Sequence, residues 1–147
     1  QKNSGTDTFA NQLREDTGIK MIPRKSPLEF MYEALASNRI LTLASDQDAK
    51  KRGVFVKFFS LPASTPKGAA RFHLECGSPL IFVTCHLEKP NNHVLDILPV
   101  PADSNSNIET ITQSFTLMLE KIITNYPEQY FWFHRRWKTK SPQTEST

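Results

Sequence analysis

The run Ile40-Leu41-Thr42-Leu43-Ala44-Ser45-Asp46-Gln47-Asp48 is apolar at four of its first five positions, then turns abruptly polar and acidic. A strand buried on both faces of a parallel sheet is nearly continuous in its hydrophobicity, whereas one with a wet face alternates. The run therefore predicts a buried parallel strand over residues 40–44. In open sheets of this kind, sites collect in loops at the carboxyl ends of the strands. Asp46, Gln47 and Asp48 thus stand at a candidate site, although an acidic loop that merely satisfies backbone amides has the same composition.

Working outward, Ser26-Pro27-Leu28-Glu29 reads as a helix start, with an N-cap serine and proline at the first helical position. Leu28, Met31, Ala34 and Leu35 give that helix one apolar face, and Ser37-Asn38 ends it. Ile19-Lys20-Met21-Ile22 alternates with period two and predicts a strand. Phe9–Asp16 predicts a short helix stopped by Gly18, after a polar, ragged stretch over residues 1–8. Downstream, Thr65-Pro66 predicts a helix start, with Gly77 closing the helix after about Glu75. Strands are predicted over residues 79–85 and 93–98, paired across Pro90-Asn91-Asn92. Ile108, Ile111, Phe115, Met118 and Ile122 follow helical spacing and mark a long amphipathic helix, which Asn125 and Pro127 break before a short aromatic helix. Alternating strands and helices predict an α/β fold with a mostly parallel sheet. The chain reads as one domain over residues 1–140, with a disordered tail over 141–147.

The chain has 147 residues, a net charge of +3 and 22% charged residues, values of an ordinary globular domain. Cys76 and Cys85 form neither a metal pattern nor a disulfide framework, and buried, reduced thiols are expected. No cofactor motif is evident. No apolar run reaches the 18 or so residues of a membrane span. The ending, Tyr126-Pro127-Glu128-Gln129-Tyr130-Phe131-Trp132-Phe133-His134-Arg135-Arg136-Trp137-Lys138, joins six aromatics to a basic cluster. Trp132, Arg135, Arg136, Trp137 and Lys138 suit an anionic membrane surface. Nucleic-acid binding is compatible with that composition, but leaves the acidic loop unexplained.

Two further segments carry candidates. Gly53-Val54-Phe55-Val56-Lys57-Phe58-Phe59 either lines a groove for a greasy ligand with Phe55, Phe58 and Phe59, or forms a hairpin packed on the core. Ser64, Thr65 and Gly68 mark a predicted helix N-terminus, which can hold an anion or can simply be capped. Arg24 lies between a predicted strand and a helix cap, where a guanidinium can clamp a phosphate.

Taken in order, Ile22–Lys25, Asp46–Asp48, Gly53–Phe59, Pro62–Gly68 and Tyr126–Lys138 resemble motifs of the bacterial lipid A biosynthesis (lauroyl/myristoyl) acyltransferases, members of the lysophospholipid acyltransferase superfamily. The resemblance covers about residues 10–139. Ser26 and Ser60 depart from it, standing where the family usually has glycine. It implies a glycerolphosphate-acyltransferase-like fold, incomplete on its N-terminal side. The implied reaction moves a fatty acyl chain from acyl carrier protein to a hydroxyl of a lipid A precursor, at the cytoplasmic face of the inner membrane. Arg24, Asp46, Gln47, Asp48 and Gly53 would bind the acceptor, with Phe55, Phe58 and Phe59 near the acyl chain.

Such enzymes pair a histidine with a carboxylate five positions on. The residues five after His73, His86, His93 and His134 are Ser78, Asn91, Leu98 and Thr139, none of them acidic. The chain is therefore expected to be the C-terminal portion of a longer enzyme, without the catalytic dyad and inactive alone. Absence of the preceding portion would uncover apolar sheet surface, which predicts self-association through it or disorder near residues 1–18.

Overall fold

A computed structural model describes residues 4–23 and 25–141. The predicted candidate Arg24, and residues 142–147 of the expected tail, lie outside the described residues. Ser141 is buried. The chain divides into two compact units, residues 1–41 and 42–147.

In the first unit, α1 spans Ser4–Glu15 and α2 spans Glu29–Ala36. Helix α1 thus begins well inside the stretch expected to be ragged, and Gly18 (φ 83°) follows it in the left-handed region that glycine favours. Helix α2 starts two residues later than Ser26-Pro27 suggested, with Leu28 at its N-cap and no side-chain cap. Its end is as read. Asn38 is left-handed at φ 56°, its N–H returns to the Leu35 carbonyl, and the Arg39 N–H returns to Ala34. That is the Schellman arrangement with asparagine in glycine's place.

The second unit contains β1 (Val54–Phe58), β2 (Leu61–Thr65), α3 (Gly68–Cys76), β3 (Ile81–Lys89), β4 (Asn92–Pro99) and α4 (Ile108–Asn125). The fold is mixed α/β, but its sheets differ from the expectation. Among the described residues the strands form two separate antiparallel pairs, β1–β2 and β3–β4, and no parallel sheet. Residues 19–22 and 40–44 form no strand. A strand needs a neighbour to take its backbone hydrogen bonds, and neither run has one here, so Ile40 is 95% exposed.

β1 and β2 are a tight hairpin in which Phe58 pairs with Leu61, leaving Phe59 and Ser60 as the loop. Both loop residues have positive φ, 48° and 64°. This is the turn whose twist matches the strands and which prefers glycine or asparagine. Left-handed backbone strains other residues by roughly 1–2 kcal/mol. Ser60→Gly is expected to stabilise the protein by about 0.5–1 kcal/mol, after allowing for the entropy glycine adds to the unfolded chain. A higher denaturant midpoint at unchanged slope checks this.

Lys57 pairs with Pro62 in register, and a proline is tolerated there because Lys57 turns its own amide away. Its N–H donates to Gln113 Oε1 (2.7 Å) and its carbonyl accepts from Gln113 Nε2 (2.9 Å). The glutamine amide acts as a one-residue strand that covers the edge of β1. Gln129 does the same for β3, accepting from Leu87 N (2.7 Å) and donating to Leu87 O (2.8 Å).

Helix α4 organises the packing, as its spacing predicted. It starts in a reciprocal cap between Asn107 and Thr110. Ile111 and Phe115 pack with Ala70 and Val100, and Ile123 packs with Phe58 and Ala63. The β3–β4 hairpin, read correctly across its turn, turns Phe82 to the first cluster. Its opposite face carries Ile81, Val83, Leu87, Leu95 and Ile97, all exposed. Cys85 lies on that same outward face, which is why it is exposed rather than buried; Cys76 is exposed as well. The aromatic ending is a single 3-10 turn, Pro127–Gln129, followed by irregular chain rather than a helix. Among the described residues no helix is long and apolar enough to cross a membrane.

Candidate functional site

The loop from Ser45 to Gly53 is tied down from two directions. On the β2 side, Ala49 N–H donates to Ser64 O (3.1 Å) and Ser64 Oγ donates to Lys50 O (2.5 Å). On the other side the C-terminal segment supplies three contacts. Tyr130 Oη donates to Asp46 O (3.3 Å), Asp48 N–H donates to His134 Nε2 (2.9 Å), and Thr139 Oγ1 donates to Asp48 Oδ2 (2.9 Å). Asp48 Oδ2 also accepts from Lys50 N–H (3.3 Å), a local turn that holds the acidic corner.

Gly53, one of the expected acceptor-binding positions, packs closely against this clamp. A Cβ there would lie 2.8 Å from Ala49 Cβ and from Thr65 O, and would overlap Ser64 Oγ. The requirement is space, since its φ of −78° is open to any residue. Gly53→Ala is expected to lift the loop from β2 and destabilise by about 1–3 kcal/mol, read as a lower denaturation midpoint.

Behind the loop sits Arg136, 1% exposed. Nη1 donates to Ser64 O (2.8 Å) and Nη2 to Thr65 Oγ1 (2.6 Å), and the guanidinium lies 5.1 Å from the Phe58 ring centroid. Burial pulls its pKa down, against the opposing influence of Tyr130, Asp48 and Asp46; arginine remains a cation regardless. Burial likewise raises Tyr130, with Arg136 opposing and Asp46 adding to the rise, so its hydroxyl stays a proton donor.

These contacts revise several sequence expectations. Arg136 is not a membrane-surface residue but a buried strut, and Trp137 packs on Phe58 while donating Nε1 to the Phe58 carbonyl (3.2 Å). Trp132, Arg135 and Lys138 are exposed. Ser64 and Thr65 end β2 and are engaged with Arg136 rather than opening a helix; Gly68 opens α3 behind an uncapped Lys67. Phe58 is fully buried core, and the hairpin reading of its segment is the one realised.

A groove of about 450 Å³ opens beside the loop. Its walls are largely apolar, from Leu43, Leu80, Phe82, Val100, Phe115 and Leu119, with Asp46 and Tyr130 among its polar residues. Phe55, Phe58 and Phe59 do not line it. Among the described residues the Asp46 carboxylate takes no hydrogen bond, while the Asp46 carbonyl accepts from Tyr130. Gln47 is exposed at the loop tip, and Asp48 is spent on the clamp.

Sequence reading missed the closest histidine–carboxylate pair among the described residues. His86 Nδ1 lies 3.1 Å from Asp96 Oδ2, without the alignment of a hydrogen bond, and the ring stacks on Tyr126 at 4.1 Å. A register shift between Leu87 and Lys89 hides this pairing from any count made from the turn. His86 is buried and does not line the groove, so it is poorly placed to reach a substrate. Among the described residues no group of three or more histidines, cysteines or carboxylates could hold a metal.

Comparison with known proteins gives a consistent result. The model of the family described as bacterial lipid A biosynthesis acyltransferase matches residues 1–139. The chain is 31% identical over 128 residues to the lipid A biosynthesis lauroyltransferase of Escherichia coli K12, covering 82% of this chain and 40% of that protein. It is 26% identical over 128 residues to the phosphatidylinositol mannoside acyltransferase of Mycobacterium tuberculosis H37Rv, covering 84% and 40%. The chain thus spans about 40% of the length of these curated relatives.

Proposed function

Because the chain belongs to the bacterial lipid A biosynthesis acyltransferase family, we propose that the whole protein transfers a fatty acyl chain from acyl carrier protein to a hydroxyl of a lipid A precursor, at the cytoplasmic face of the inner membrane. The observation that carries this reading is Asp46 on the wall of an apolar groove, its carboxylate taking no hydrogen bond among the described residues. A glycolipid acceptor has both features that such a wall complements, hydroxyls for the carboxylate and acyl chains for the groove.

The reaction needs a base for the acceptor hydroxyl. The alkoxide attacks the thioester carbonyl, the new ester forms, and the carrier thiolate leaves and takes up the proton. We assign the base to a His-x4-Asp/Glu dyad in the portion of the whole protein that this chain does not cover. That portion would also complete a mostly parallel sheet beside residues 19–22 and 40–44. Arg24 would bind acceptor phosphate. The apolar outer face of β3–β4 is where the chain would self-associate if separated from its parent.

A second reading is a non-catalytic lipid-binding module, favoured by Phe133 (91% exposed) and Phe131 beside exposed Arg135 and Lys138. Purified whole protein, given labelled acyl carrier protein and a lipid A precursor, separates the two. Acyl-lipid formation supports the enzyme. Salt-sensitive binding to anionic vesicles with no transfer supports the module.

A further inference from the structure

The contacts on residues 46–48 come in an unusual distribution. Three successive features of the loop, the Asp46 carbonyl, the Asp48 amide and the Asp48 carboxylate, are each held by a different residue of the C-terminal segment: Tyr130, His134 and Thr139. Asp46 lines the groove, and its side chain receives none of these bonds. The segment is itself fixed by Arg136 on β2 and by Trp137 on the Phe58 carbonyl. Such an arrangement fixes a backbone while leaving one side chain free for a ligand.

From this geometry we infer that His134 and Thr139 are positioning residues, which hold the Asp46 carboxylate in register with the groove by clamping Asp48. The inference rests on the acceptor-site reading above and deepens it. It also gives His134 a role other than general base. Its Nε2 accepts from the Asp48 backbone amide, so the lone pair a base would need is already engaged. Thr139 bonds one oxygen of a half-buried carboxylate whose other oxygen, Oδ1, has no hydrogen-bond partner among the described residues. Without His134 and Thr139, Asp48 would keep only its local bond from Lys50 N–H on this side of the loop.

Three substitutions in the full-length protein test this. His134→Leu and Thr139→Val remove the acceptor and the donor with little change of volume. His134→Gln returns an acceptor oxygen near the place of Nε2. The expected result is a fall in kcat/KM for the lipid acceptor on the order of tenfold for the first two, small misplacements of reacting groups being that costly. The KM for the acyl donor should stay unchanged, and His134→Gln should recover most of the loss. Gln113→Leu, which uncovers the far edge of β1, serves as a control that lowers stability without the acceptor-specific loss.

Equal losses toward donor and acceptor, or no loss in a protein that transfers, would overturn the assignment. Should the wild-type protein transfer no acyl group at all, the acyltransferase reading fails instead. The positioning claim is then decided by hydrogen exchange at the Asp48 amide, accelerated by His134→Leu if the clamp is real and unchanged if it is not.

Discussion

Asp46→Asn in the whole protein is expected to lower acyl transfer by a hundredfold or more while leaving the fold intact. The substitution is isosteric, and the bond that fixes residue 46 is accepted by its backbone carbonyl, from Tyr130, and survives the change. What is lost is a charged acceptor on the groove wall. A hydrogen bond to a charged group contributes about 1.5–3 kcal/mol, and two such bonds from a polyhydroxyl acceptor reach the hundredfold range at about 1.4 kcal/mol per decade. Steady-state transfer with the acceptor varied, beside an unfolding curve that overlays wild type, is the measurement. Normal turnover would remove Asp46 from the site.

Arg136→Ala is expected to destabilise the protein by about 3–5 kcal/mol, the range for breaking a buried charged network. That is a large part of the 5–15 kcal/mol of a typical domain. The truncation removes donors from Ser64 O and Thr65 Oγ1, leaves a cavity beneath Phe58, and loses a cation over an aromatic face. Arg136→Lys should recover only part of the loss, because an ammonium cannot reproduce two parallel donors held in a planar fork. Arg135→Ala, one position away and exposed, should change stability by less than about 0.5 kcal/mol. Chemical denaturation of the three variants tests the contrast, and equal effects at positions 135 and 136 would refute the strut.

That contrast also shows where sequence reading stops. Arg135 and Arg136 are indistinguishable as text. Burial of the second is set by Ser64 and Thr65, some 70 residues earlier, and no local pattern carries that information. Local signals served well where the physics is local. The spacing of Ile111 and Phe115 gave α4, the turn at Asn91 gave the β3–β4 hairpin, and Gly77 gave the end of α3. The apolar runs at 19–22 and 40–44 form no strand in this chain, because hydrophobicity reports a wish for burial, whereas a strand also needs a partner. Ser26-Pro27 has the composition of a cap, yet the helix begins at Glu29 without using it.

The candidate site divides in the same way. Asp46, Gln47 and Asp48 were legible as a polar corner after an apolar run. Their separate duties were not, because these depend on Tyr130, His134 and Thr139, more than 80 positions away. Gly53 was legible as part of the loop, but not as the point where that loop touches β2. The family's motif order carried more than any single residue did, since the family match extends over residues 1–139.

The central claim, that this chain is the acceptor-holding part of an acyltransferase, is tested most directly by incubating the purified whole protein with radiolabelled acyl carrier protein and a lipid A precursor, with the Asp46→Asn protein run in parallel. The account predicts label in the lipid with the wild-type protein and almost none with the variant. Equal labelling by both proteins, or label in neither while the wild type still binds anionic vesicles, would contradict it.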